Sequence, residues 1–68
     1  MLEGRWIQVY GSSDAFQVEV IKGLLTEHHI ECVVVNKKDS LYLVGEVELY
    51  VNVEDAFQAN QLISESNP

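Results

Sequence analysis

Few side chains in this chain could do chemistry, and each has a plainer structural reading. Cys32 is the sole cysteine. A nucleophilic cysteine needs a thiolate with a base or cation beside it, whereas Cys32 lies in the apolar run Ile30 to Asn36, where it is expected to point inward from a central strand as a buried, inert thiol. His28 and His29 are adjacent, so on a helix their rings diverge by about 100°. No further His or Cys cluster completes a tetrahedral metal site, and the pair is expected at a helix C-terminus, facing the negative end of the dipole. Glu46 and Glu48 would share an exposed strand face as solvated carboxylates rather than as an acid/base pair. Gly11-Ser12-Ser13 precedes a helix but lacks phosphate-loop spacing and an adjacent lysine, and Asp14 already occupies the positive helix end, so an ordinary cap is expected. The residue types therefore assign no catalytic residue, no metal ligand and no cofactor. Two of the four basic side chains fall in Asn36-Lys37-Lys38-Asp39-Ser40, a loop that would steer an anionic small ligand or an acidic partner segment toward it.

The elements that must position these residues follow from hydrophobic periodicity. Arg5 to Tyr10 alternates, with Trp6, Gln8 and Tyr10 on one side and Ile7 and Val9 on the other, as in a strand. Gly11-Ser12-Ser13-Asp14 then offers turn and N-cap chemistry through a Ser or Asp oxygen, with Asp14 complementing the helix dipole, and opens a helix whose inner arc is Ala15, Val18, Ile21, Leu24 and Leu25 and which stops near His28-His29. Ile30 to Asn36 is a second strand, Leu41 to Val44 a possible short one, and Glu46 to Asn52 another that turns Val47, Leu49 and Val51 inward. A last helix is expected from Val53 to Ser64, with Ala56, Ala59, Leu62 and Ile63 inside. Asp14-Ala15-Phe16-Gln17 recurs as Asp55-Ala56-Phe57-Gln58 after 41 residues, which suggests two strand-helix units.

The order predicts an α+β fold: a two-layer, ferredoxin-like β-α-β-(β)-β-α plait with two helices on one face of a mainly antiparallel sheet of three or four strands. The tail after Ser64 is too short and polar to supply the final plait strand, so the first strand would lie at a sheet edge open to β-augmentation. Residues 1–68 are expected to form a single domain, frayed at 1–4 and 65–68. Two helices cover one side of so small a sheet. The alternation then sends Trp6, Gln8, Tyr10, Val33, Val35 and Tyr50 to the uncovered side, which makes them the candidate interface for self-association or a protein partner.

Composition narrows the function classes. With 47% hydrophobic and 22% charged residues the chain is balanced as folded proteins are. Eleven acidic against four basic residues give a formal charge of −7, which repels nucleic-acid backbones and anionic membranes alike. No run approaches the roughly 20 apolar residues of a membrane span, and no secretory signal is evident. A lone cysteine fits a reducing, cytoplasmic setting.

The segments Trp6-Ile7-Gln8-Val9-Tyr10, Leu24-Leu25-Thr26-Glu27-His28-His29-Ile30-Glu31, Val33-Val34-Val35-Asn36-Lys37-Lys38-Asp39-Ser40 and Gly45-Glu46-Val47-Glu48-Leu49-Tyr50-Val51 resemble the bacterial family called putative prokaryotic signal-transducing protein, a domain of unknown function, and most resemble its Bacteroidetes-type members. The resemblance implies a small α+β domain comparable with the PII signalling proteins and no established reaction. Together with the open face, it points to a non-enzymatic binding or signalling module acting through protein contacts. The alternative is a PII-like sensor of an anionic metabolite near Lys37-Lys38.

Overall fold

The computed structural model describes residues 4–37 and 45–66. Along the chain they form β1 (Trp6–Ser12), α1 (Ala15–Glu27), β2 (Cys32–Asn36), β3 (Val47–Asn52), a short 3-10 turn (Val53–Asp55) and α2 (Ala56–Ser66). The expected short strand Leu41–Val44 lies outside the described residues, as do Lys38, Asp39 and Ser40 of the loop.

The strands make one antiparallel sheet in the order β1-β3-β2, with β3 in the middle. Both helices follow strands and pack on one side, giving a two-layer plait with no strand after α2 among the described residues. Among the described strands β1 lies at an edge, as expected. β2 is the other edge among them, which corrects the expectation that Cys32 sits on a central strand: the sequence-distant β3 pairs with both neighbours, and strand pairing over such separations is invisible to local periodicity.

Asp14 opens α1 as its N-cap, its carboxylate accepting from the Phe16 amide at 2.9 Å. The other end closes in a Schellman motif. The Ile30 amide donates to the Leu25 carbonyl and the His29 amide to the Thr26 carbonyl, both at 3.0 Å, while His29 takes the left-handed conformation at φ 63°. Leu25 and Ile30 are both buried, supplying the apolar contact that accompanies this stop. The two copies of Asp-Ala-Phe-Gln are not equivalent: Asp14 caps α1, whereas Asn52 does that work before α2, its side chain accepting from the Glu54 amide at 3.0 Å. Asp55 sits inside the 3-10 turn. α2 runs on to Ser66, whose hydroxyl donates to the Ile63 carbonyl at 3.0 Å, so the expected helix end at Ser64 is corrected by two residues.

The core lies between sheet and helices: Val18 and Leu25 from α1, Val47, Leu49 and Val51 from β3, Ala59 from α2, and Ile30. Every second residue of β3 is buried, as a one-sided central strand requires.

Candidate functional site

The face of the sheet turned away from the helices gathers one side chain set from all three strands. In the pairing register Trp6 lies across from Asn52, Gln8 from Tyr50, and Tyr50 in turn from Val33. Val35 lies across from Glu48. Trp6, Val33, Val35 and Tyr50 line an open depression of about 190 Å³ whose exposed lining is wholly apolar. All four are half-buried, as is expected of large apolar groups that cover each other with no second layer above them among the described residues. The Trp6 indole nitrogen is shielded from solvent and has no hydrogen-bond partner among the described residues.

A polar cluster bounds the apolar patch. The Tyr50 hydroxyl donates to Glu48 Oε1 at 2.8 Å, and Lys37 Nζ lies 3.2 Å from the same oxygen. The Tyr50 hydroxyl, followed by Lys37, holds the Glu48 carboxyl below its ordinary pKa. In return the hydrogen bond to Glu48 raises the pKa of Tyr50, and that of Lys37 is raised by the same carboxylate. Glu48 is thus a tethered acceptor rather than the freely solvated carboxylate expected, while Glu46 is exposed just before β3.

Tyr10 is a correction. The β1–β3 register shifts between Gln8 and Tyr10, a bulge at Val9, so Tyr10 lies across from the buried Leu49 and turns to the helix side. A strict period of two cannot register an extra residue, and each bulge inverts the faces beyond it. Val9 and Tyr10 both pack against the core. The Tyr10 hydroxyl sits 3.5 Å from Gln17 Oε1, which also accepts from the Ser12 hydroxyl at 3.1 Å.

The flip of Tyr10 helps build a second concavity, missed in the sequence. Tyr10, Phe16, Gln17, Val20, Ile21, Ile63 and Ser66 line a groove of about 250 Å³ between the start of α1 and the end of α2. Phe16 and Val20 stand one helical turn apart and remain 73% and 53% exposed, outside the inner arc of α1. That i, i+4 apolar pair on the supposed solvent side was the available signal.

Cys32, His28 and His29 line neither concavity. The Cys32 thiol donates to the Ile30 carbonyl at 3.4 Å, and burial raises its pKa, opposite to the activation of a nucleophile. His28 Nδ1 lies 3.1 Å from the Leu24 carbonyl oxygen at the end of α1. Among the described residues no group of three or more His, Cys, Asp or Glu could hold a metal ion, and no helix is long and apolar enough to cross a membrane. Of the loop Asn36 to Ser40, Asn36 closes β2 and Lys37 is the residue paired with Glu48.

Among the described residues, a three-stranded antiparallel sheet with two helices on one face and an aromatic patch on the other defines a small α+β domain consistent with a ferredoxin-like plait. The chain belongs to the family described as putative prokaryotic signal transducing protein, whose model matches residues 6–67. No curated protein and no solved structure matches it.

Proposed function

We propose that this protein is a non-enzymatic binding module of a bacterial signalling system, acting through protein contacts made by its open sheet face. The observation that carries this reading is the depression lined by Trp6, Val33, Val35 and Tyr50, an apolar surface contributed by all three strands with no second layer over it among the described residues. Aromatic residues ringed by a polar rim are the usual anchors of protein interfaces, and here Glu48, Lys37 and Gln8 supply the rim. Membership of a signal-transducing family supports the same reading. A protein partner is favoured over an anionic metabolite because Lys37, the described cation of the Asn36–Ser40 loop, is already held by Glu48.

A second copy of the chain is the occupant that can be examined without any other protein. Light scattering over a concentration series reads it: the wild-type mass rises with concentration, and Trp6→Ala weakens the rise. A mass that never changes, or a rise that Trp6→Ala leaves untouched, contradicts self-association through this face.

A further inference from the structure

The outer edge of β2 holds information that the open face does not. Lys37 donates its amide to the Glu46 carbonyl at 3.0 Å, continuing the β2–β3 register beyond the strand. In an antiparallel ladder the amide and carbonyl of one residue point to the same side and those of the next to the other. Lys37, Val35 and Val33 therefore direct theirs toward β3, while Cys32 and Val34 direct theirs outward, where no described strand lies.

The two edges of the sheet differ. β1 is interrupted by its bulge, one of the devices that discourage edge pairing, whereas β2 runs from Cys32 to Asn36 in unbroken register. The segment Glu31-Cys32-Val33-Val34-Val35-Asn36-Lys37 has no Pro, and its only charges are one acidic and one basic residue, each three positions from Val34. This stretch is neutral in a chain of formal charge −7.

We infer that two copies of the chain pair edge to edge through β2, antiparallel about a two-fold axis at Val34. Val34 then exchanges both backbone hydrogen bonds with Val34 of the second copy, using groups that already point outward. Val33 lies across from Val35 of the second copy, and Glu31 across from its Lys37. Residues 31, 33, 35 and 37 share the open face, so both charge pairs form on that side, and Lys37 sits between its own Glu48 and the second copy's Glu31. No other register that pairs the strand with itself both uses the outward groups of Val34 twice and neutralises both ends. The product is a six-stranded sheet, β1-β3-β2-β2-β3-β1, that joins two open faces into one. This inference goes beyond the proposed function, since an edge is used rather than the face.

Sedimentation equilibrium and thiol trapping on the full chain test it. The wild type is expected to sediment as a dimer. Val34→Pro removes an outward amide without touching the β3 ladder, and is expected to give a monomer with an unchanged far-ultraviolet spectrum. Glu31→Lys turns both attractive pairs repulsive and weakens the dimer roughly tenfold. Trp6→Ala, which disrupts the open face, leaves this dimer in place and removes only the growth in mass beyond two chains, so failure of face contact and failure of edge pairing are read separately. In a Cys32→Ser background, Val33→Cys mixed with Val35→Cys is expected to cross-link under glutathione disulfide faster than either variant alone, because those positions face each other across the axis. That readout holds even where Val34→Pro fails to fold. A wild-type monomer at every concentration, or cross-linking no faster in the mixture, overturns the inference.

Discussion

Replacing Trp6 with Phe isolates the most unusual atom of the open face. The indole nitrogen is shielded from solvent without an acceptor among the described residues, and a buried donor left unpaired costs about 1–3 kcal/mol. Phenylalanine removes that donor while keeping an aromatic ring over Tyr50, Val33 and Val35. It loses a few tens of Å² of contact, worth about 1 kcal/mol or less at ~25 cal/mol per Å². The two effects leave Trp6→Phe between neutral and about 3 kcal/mol more stable than the wild type. Trp6→Ala also relieves the orphan nitrogen but gives up the whole ring. Its cost therefore falls below the ~3–5 kcal/mol of a fully buried aromatic truncation. Urea unfolding followed by far-ultraviolet circular dichroism, at one low protein concentration and with unchanged m, measures both. A Trp6→Phe variant destabilised by more than about 1 kcal/mol would show that the nitrogen has an acceptor and that the face is already occupied within the chain.

The helix ends give two further expectations. Asp14→Ala, which strips the cap from the Phe16 amide, is expected to cost about 0.5–2 kcal/mol in the same assay. His29→Gly relieves a left-handed residue and is expected to stabilise the chain by roughly 1 kcal/mol. The Glu48 cluster sets a pH dependence at both extremes. The carboxyl pKa is lowered in the fold, so its contribution is present above the ordinary glutamate pKa and is lost as pH falls through the folded value. Tyr50 is raised, so its contribution is present below the ordinary tyrosine pKa and is lost as pH rises through the folded value. Urea midpoints of Glu48→Gln against pH are expected to be flatter on both limbs, and its tyrosinate absorbance should develop at lower pH. Limbs matching the wild type would contradict the hydrogen bond.

Local chemistry was legible in the sequence wherever one residue could decide the outcome. The Ser-Ser-Asp stretch announces the start of α1, where Asp14 proves to be the cap, and the alternation of Val47, Leu49 and Val51 places β3 with its inner side buried. The same alternation brings Trp6, Val33, Val35 and Tyr50 to a common place on the sheet. What escaped depends on the geometry between segments. The Val9 bulge is defined only by the strand opposite and carries Tyr10 to the helix side. The edge position of β2 follows from β3 pairing with both neighbours. The repeated Asp-Ala-Phe-Gln looked like two equal helix starts, yet Asn52 opens the second a turn earlier through a side chain the repeat does not include. The groove beside Phe16 went unread because an exposed aromatic on a helix counts against the inner arc, not toward a second apolar surface.

Trp6 is the single tryptophan, so its fluorescence reports on the open face alone. Acrylamide quenching of the wild type, measured from dilute to concentrated solution beside light scattering, is the most direct measurement of whether that face is free to receive another protein. Efficient quenching in the dilute chain that declines as the scattering mass grows is the expected result. Quenching already suppressed in the dilute chain, and indifferent to its mass, would mean that the polypeptide encloses its own aromatic patch.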